Sequence, residues 1–167
     1  FGRVAASTDD GDHDYACVAG DDILGDIFVS RMSVGEDNQL EAVVFKQLQY
    51  ERTPYISDPS WFDSAHLVGD ATPYTGMSAV FTNENIRYMM EEEGFSNVTT
   101  CYEHVPYNCT NQVQSIDSAF ERGILYFNYR GYYGMSGWDN GYTDDLNNGF
   151  RTPFIVDITC GTGSFVS

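Results

Sequence analysis

Hydrophobic positions along the 167-residue chain follow two different periods. Apolar residues spaced three and four apart predict helices at about 36–52, from Thr82 to Gly94, and at 111–122. Short apolar runs rich in β-branched residues predict strands at 15–18, 26–29, 65–68, 98–102, 124–129 and 154–160. Strands that alternate with helices indicate an α/β domain with a mostly parallel sheet, right-handed crossovers and helices on both faces.

The last predicted strand is the most informative stretch. Its mostly apolar run at 154–158 is typical of a strand buried on both faces, and the strand ends in Cys160. Ligands and chemistry collect at the carboxyl edge of such a sheet. Glycines at 161 and 163 would let backbone amides approach a carbonyl oxygen. The thiol is therefore a candidate nucleophile, and a buried structural cysteine is the alternative.

Two further strand ends are predicted to lie on the same edge as Cys160. One carries Asp70, and the other continues into the loop from Gly131 to Trp138. Within this loop, two glycines surround Tyr132 and Tyr133, a composition typical of a turn that holds large side chains at its tip. Because the carboxyl ends of parallel strands share one edge, these residues should emerge along one rim.

The chain is strongly acidic, with 25 acidic and 8 basic residues and a net charge of −17. Such a charge repels phosphate backbones, so nucleic acid is not expected as a partner. The hydrophobic content of 42% excludes a disordered chain. No apolar run approaches the ~20 residues that a membrane-spanning helix needs, so no such segment is expected.

Acidic residues are concentrated near the amino terminus. Asp10, Asp12 and Asp14 alternate as they do at the start of a calcium loop, without the glutamate that completes an EF-hand. Bound Ca²⁺ and a plain acidic loop are the two interpretations of this stretch. No other motif requires a cofactor.

The cysteines and the two ends of the chain bear on its origin. Cys101 and Cys109 are near enough in sequence to close a small loop, and two candidate glycosylation sequons lie beside them. These features indicate an exported protein, either extracellular or on a cell surface. The chain opens on Phe1 rather than Met, so we expect 1–167 to be one domain, truncated at both ends, of a larger polypeptide.

Six short stretches, in order and across nearly the whole chain, resemble the gingipain family of cysteine peptidases. They are Gly20-Asp21-Asp22, Asp26-Ile27-Phe28-Val29-Ser30-Arg31, Tyr50-Glu51-Arg52, Asn83-Glu84-Asn85-Ile86, Asn128-Tyr129-Arg130-Gly131 and Pro153-Phe154-Ile155-Val156-Asp157-Ile158-Thr159-Cys160. The resemblance implies a caspase-like α/β fold, with an initial strand before Phe1 and further elements after Ser167.

The same resemblance implies roles for individual residues. Cys160 matches the family's nucleophile, and the backbone amides of Cys160 and of the Gly131 turn would stabilise the oxyanion. The family's base is the histidine of a Gly-His-Gly turn, and here Tyr132 stands at that position. Asp70 falls near an acidic residue that supports the histidine. Val80 falls near the position that gives arginine-specific members a carboxylate for the substrate.

Three functions are compatible with these residues. The first is a cysteine peptidase domain that forms an acyl-enzyme on Cys160 and acts on a peptide or protein substrate. The second is an inactive pseudo-peptidase, a surface scaffold or protein-binding module whose aromatic rim of Tyr132, Tyr133, Trp138 and Tyr142 receives a partner. The third is a transpeptidase of the kind found among related family members, which no residue of this chain selects.

Overall fold

The computed structural model describes residues 13–72, 76–105, 108–135 and 137–161. The chain forms two compact units, one made of residues 1–45 and 163–167, and the other, which we call the sheet unit, made of residues 46–162. α1 (His13–Ala16) belongs to the first unit, and α2 (Asp37–Arg52) confirms the helix predicted at 36–52. Within the described ranges, no helix combines the length and the apolarity that crossing a membrane requires.

The two strands predicted near the amino terminus, at 15–18 and 26–29, are wrong. The first overlaps α1, and residues 27–34 form neither helix nor strand. The Asp26 carboxylate accepts hydrogen bonds from the backbone N–H groups of Val18 and Ala19, at 2.9 and 2.8 Å. Side-chain acceptors of this kind compete with strand pairing for backbone donors. Local polar bonds thus take the place of a sheet ladder in this segment.

The sheet unit is organised around four parallel strands. They are β1 (Ser64–Asp70), β2 (Asn97–Glu103), β3 (Tyr126–Tyr133) and β4 (Phe154–Cys160), in the spatial order β2-β1-β3-β4. Each strand begins within two residues of its predicted start. β3 continues four residues beyond its predicted end at 129, so Gly131, Tyr132 and Tyr133 lie in the strand rather than in a turn.

Two helices connect the strands and cover the two faces of the sheet. α3 (Ser78–Glu92) links β1 to β2, and α4 (Gln112–Arg122) links β2 to β3. These crossovers run in opposite directions across the sheet, so right-handed connections place the helices on opposite faces. Successive residues of β3 agree with this: Phe127 packs in the α4 cluster, whereas the amide of Asn128 donates to Asn83 of α3. The predicted α/β class with helices on both faces is confirmed.

The helix starts differ in part from those predicted. The N-cap of α4 is Asn111, which was predicted as the first residue of the helix, because the Asn111 side chain accepts a hydrogen bond from a backbone N–H in the first turn at 3.0 Å. α3 begins at Ser78, four residues before the predicted cap at Thr82, and no side chain caps it. Thr82 lies inside α3, and its hydroxyl side chain ahead of apolar residues resembled the pattern of a helix start.

The main core lies between α4 and the sheet. It consists of Val68, Cys101, Ile116, Ala119, Phe120, Ile124, Phe127 and Tyr129. A 3₁₀ helix at Pro59–Asp63 adds the buried Trp61 ahead of β1, and α5 (Asn140–Asp145) lies in the long connection from β3 to β4. This packing holds β1 and β3 as the central strands.

β4 lies where it was predicted, but it is not buried on both faces. Phe154, Ile155 and Ile158 are 64%, 49% and 45% exposed, whereas Phe127, the register partner of Ile155 in β3, is completely buried. β4 is the edge strand of the described sheet and has one neighbour in it. An apolar run specifies a strand, but its burial depends on the elements that pack against it.

Candidate active site

Cys160 lies at the carboxyl edge of the sheet. It is the last residue of β4 and a free, exposed cysteine. Its register partner is Tyr133, the last residue of β3, and the backbone N–H of Gly134 donates to the Cys160 carbonyl at 3.0 Å. The two strand ends therefore leave the sheet side by side, as their parallel direction predicts.

A β-bulge determines which tyrosine is opposite Cys160. Arg130 pairs with Ile158, and the next pair joins Tyr133 to Cys160. β3 thus takes three residue steps where β4 takes two, which places one extra residue in β3. In a regular ladder Tyr132 would be the partner of Cys160. Bulges of this kind re-aim side chains next to functional sites.

Two glycines at these strand ends leave room for tyrosine rings. A Cβ atom on Gly131 would lie 2.6 Å from Cε1 of the buried Tyr129, and a Cβ atom on Gly161 would lie 2.8 Å from the ring of Tyr133. Gly161 also has a φ of 84°, in the left-handed region that favours glycine. A larger residue at position 131 would therefore displace Tyr129, and one at position 161 would displace Tyr133, the register partner of Cys160.

His66, in the middle of β1, is a structural residue. Its Nδ1 lies 2.8 Å from the Thr99 hydroxyl and its Nε2 3.0 Å from the Ser115 hydroxyl. Burial lowers the pKa of His66 to about 4, so the ring is neutral at pH 7. In register it is level with Ile155, which precedes Cys160 by roughly 16 Å along β4. It is therefore not placed to act on the thiol.

A second group of reactive side chains occupies the other end of the same edge. Asp70 and Glu103, the last residues of β1 and β2, are register partners, and His104 Nδ1 lies 3.5 Å from Asp70 Oδ1. We call these three residues the edge cluster. Burial, and next the negative charge of Glu103, raise the pKa of Asp70. Two strands separate β2 from β4, so His104 is roughly 14 Å from the strand of Cys160.

The predicted aromatic and substrate rim is exposed in part. Tyr132 and Tyr133 are 49% and 73% exposed, and Tyr142 is exposed as well. Trp138 instead packs against an α4 phenylalanine, with 5.0 Å between the ring centroids, and borders the core. Val80 is buried in the first turn of α3. The surface available to a partner therefore consists of tyrosines.

A cavity of about 290 Å³ lies beside Trp138. Its lining includes Pro153 and Ile155, at the amino end of β4, and Lys46, the single lysine of the chain. It is therefore separate from Cys160, which ends the same strand.

The candidate calcium residues do not form a site in the described part of the chain. Asp14 lies in α1, whereas Asp10 and Asp12 fall outside the described residues. Calcium binding there stays a prediction. Among the described residues, the edge cluster is the one group of His, Cys, Asp and Glu side chains whose ligand atoms lie close enough to hold a metal ion.

Two arrangements of reactive side chains were not predicted from the sequence. The first is the edge cluster, although Asp70, Glu103 and His104 lie at the ends of neighbouring parallel strands. The second is the first unit's pair of Cys17 and His13, whose Sγ and Nε2 atoms are 3.5 Å apart. The four-residue spacing of this pair was the available signal.

Comparison with known proteins finds gingipains. The chain is 25% identical over 166 residues to gingipain R2 of Porphyromonas gingivalis strain ATCC 33277 and to gingipain R1 of Porphyromonas gingivalis. Both alignments cover 93% of this chain, and they cover 22% and 16% of those proteins. The chain thus spans about a fifth of the length of the curated relatives it matches.

Solved structures give the same result for the fold. The crystal structure of the Arg-specific cysteine proteinase gingipain R matches with a TM-score of 0.80 and 25% identity, over 94% of this chain and 37% of that one. The complex of Porphyromonas gingivalis RgpB pro- and mature domains matches with a TM-score of 0.79 and 26% identity, over 92% and 37% of the two chains. The family pattern of peptidase family C25 matches residues 5–167. This chain therefore belongs to peptidase family C25, the gingipain-like cysteine peptidases.

Proposed function

We propose that this domain keeps the strand-end thiol of a gingipain-like cysteine peptidase but has lost rapid peptide hydrolysis, and that it serves as a peptide-binding module. The observation that carries this proposal is the placement of Cys160 opposite Tyr133. The two histidines of the sheet unit lie elsewhere: His66 is enclosed in β1, and His104 belongs to the edge cluster.

The chemistry of a cysteine peptidase explains why this placement matters. The thiolate is the nucleophile, and an adjacent imidazole normally takes the thiol proton and later returns it to the leaving amine. A phenol, with an ordinary pKa of about 10, holds its own proton at neutral pH and is a poor acceptor. General acid–base catalysis contributes roughly 10²–10⁴-fold to such reactions, so its loss makes hydrolysis slow.

The exposed tyrosines and the charge of the chain suggest a class of partner. Tyr132 and Tyr133 present large rings at the sheet edge, and tyrosine is among the residues that contribute most to binding at interfaces. The net charge of −17 attracts positively charged partners and repels acidic ones. We infer an extended, basic peptide segment as the ligand.

A paired assay of binding and cleavage tests this function. A fluorescent lysine-rich peptide and the same peptide with glutamates in place of lysines are added to the wild type and to Cys160→Ala. We expect the basic peptide to bind preferentially and equally well to both proteins, with no cleavage that depends on the thiol. Tyr133→Ala should weaken binding about tenfold. Tyr88→Ala, which changes an exposed tyrosine of α3, is the control and should leave binding unchanged.

Two results would contradict the proposal. Cleavage that disappears in Cys160→Ala would show that hydrolysis is retained. Equal affinity for the two peptides, together with no effect of Tyr133→Ala, would show that the tyrosine surface is not a peptide site.

An active peptidase is the second candidate, and the free, exposed thiol of Cys160 favours it. The sulfur would attack a peptide carbonyl, form a thioester and release the amine, and water would then hydrolyse the thioester and regenerate the thiol. Neither histidine of the sheet unit is placed to accept the proton, so the acceptor would have to come from elsewhere in the protein. A substrate-dependent mass increase on Cys160 after rapid quenching would identify this route.

We also propose that the domain works in an oxidising, extracellular or cell-surface setting as part of a larger polypeptide. Cys101 and Cys109, whose pairing the sequence left open, form a disulfide with Cα atoms 4.9 Å apart. Disulfides of this kind persist outside the reducing cytosol. Peptide mapping of the native protein without reduction should recover the linked pair, and two free thiols would contradict this localisation.

A further inference from the structure

Two carboxylates end neighbouring strands at the β1–β2 end of the sheet edge. Asp70 and Glu103 are register partners, so their side chains lie on the same face of the sheet. Asp70 is only 7% exposed. Two ionised carboxylates in such a partly buried position repel each other, and a cation between them offsets the repulsion.

His104 adds a nitrogen ligand of different chemistry. Its Nδ1 lies 3.5 Å from Asp70 Oδ1, and the ligand atoms of the edge cluster all lie within 4.8 Å of one another. Zinc–nitrogen and zinc–oxygen bonds of about 2.0–2.2 Å place two ligands of a tetrahedral ion about 3.3 Å apart. The separation of His104 and Asp70 is close to this value. An imidazole with carboxylates suits zinc better than calcium, which prefers oxygen ligands alone.

A buried amide beside the edge cluster points independently to a bound group. Gln112 is 6% exposed, and its Nε2 donates to the carbonyl of Gly69, the residue before Asp70, at 3.2 Å. Its Oε1 is buried and has no hydrogen-bond partner among the described residues. A buried acceptor without a donor is unfavourable, and water bound to a neighbouring cation would supply the missing donor.

We propose that Asp70, Glu103 and His104 bind one zinc ion at the β1–β2 end of the edge, with water completing its coordination. The Cys101–Cys109 disulfide closes the segment that carries His104, so this ligand is tethered near β1 before the metal arrives. Because roughly 14 Å separates β2 from the strand of Cys160, His104 and Glu103 are not placed to act on the thiol.

Calorimetric titration with zinc chloride tests this site. The full chain is used with Cys17→Ser and Cys160→Ser, so that the free thiols do not bind the metal. We expect one zinc ion per chain and no comparable binding of magnesium. His104→Ala should weaken zinc binding at least tenfold, since loss of even an indirect partner of a metal ligand costs about 10–100-fold. Glu103→Gln, which keeps the size of the side chain, should also weaken it.

Two control variants test whether zinc binds at the edge cluster or is attracted in general to an acidic protein. His13→Ala removes a histidine outside the edge cluster, and Glu93→Gln makes the same charge change as Glu103→Gln on an exposed residue that follows α3. Neither control should change zinc affinity, and circular dichroism should show that every variant is folded. Equal zinc affinity of folded His104→Ala and the parent protein, or tighter binding of calcium than of zinc, would overturn the proposal. The edge cluster would then contain only a histidine–carboxylate ion pair.

Discussion

The two ends of the carboxyl edge of the sheet differ in both chemistry and packing. The β1–β2 end carries the edge cluster, and β1 is buried at every residue. The β3–β4 end carries the thiol of Cys160 and exposed tyrosines, and its outer strand is largely solvent-exposed. A cysteine peptidase needs imidazole and thiol in contact. Here the histidine at the edge and the cysteine stand at opposite ends.

This difference shows that fold and catalytic chemistry are set by separate features of the sequence. The apolar pattern and the crossovers deliver strand ends to one edge, whatever side chains those ends carry. Family membership therefore accounts for the position of Cys160, whereas activity depends on the few residues beside it.

The largest predicted difference in the cost of a substitution to stability is between two residues that are register partners in the sheet. Phe127 in β3 is completely buried and Ile155 in β4 is 49% exposed. Phe127→Ala should lower the free energy of unfolding by about 3–5 kcal/mol, because it leaves a cavity in the core. Ile155→Ala should lower it by less than about 1 kcal/mol. Urea denaturation measures both, and equal losses would show that β4 is covered in solution.

The second prediction concerns pH. The pKa of His66 is lowered from 6.5 to about 4 by burial, so the unfolded chain takes up its proton at a higher pH than the folded chain. The stability due to neutral His66 is complete above pH 6.5 and is lost as the pH falls towards 4, by about 3 kcal/mol in total. His66→Gln should remove this part of the slope of unfolding free energy against pH. An unchanged slope would contradict the burial of this ring.

The raised pKa of Asp70 acts in the opposite direction. The unfolded chain loses this proton at lower pH than the folded chain, so stability declines as the pH rises from the ordinary aspartate pKa of 3.8 to the raised pKa of Asp70. Asp70→Asn should therefore flatten the decline in stability between these two pKa values, and the same pH series measures it.

Reduction of the Cys101–Cys109 disulfide should lower the free energy of unfolding by slightly less than the protonation of His66 does. The bond closes a short loop at the β1–β2 end, and such a constraint is worth about 2–3 kcal/mol. Denaturation of Cys17→Ser, Cys160→Ser protein with and without dithiothreitol isolates this disulfide. No change in stability on reduction would argue against the tethered loop.

The smallest predicted change introduces a base at the β3–β4 end. Tyr133→His should raise the alkylation rate of Cys160 about tenfold, because Tyr133 is the register partner of Cys160 and an imidazole beside a thiol promotes its ionisation. Tyr132→His should raise it less, since the bulge takes Tyr132 out of register with Cys160. The same rate in both variants as in the wild type would contradict the arrangement of the bulge.

Much of the fold follows from local patterns, and the site depends on contacts that such patterns do not contain. The starts of β1 and β2 were predictable because their apolar runs are short and bounded by polar residues. The exposure of β4 was not predictable, since edge strands and central strands can have the same amino-acid composition. The bulge before Tyr133 contains Gly131, but a glycine in a strand does not fix the pairing beyond it, so the partner of Cys160 could not be derived from spacing.

Alkylation of Cys160 in Cys17→Ser protein tests most directly the claim that the thiol has no effective base. The second-order rate with iodoacetamide at pH 7 is compared with that of free cysteine, while the Cys101–Cys109 disulfide stays unreactive. We predict a rate no higher than that of free cysteine. A rate about tenfold higher or more would reveal an activated thiolate and contradict the loss of hydrolysis.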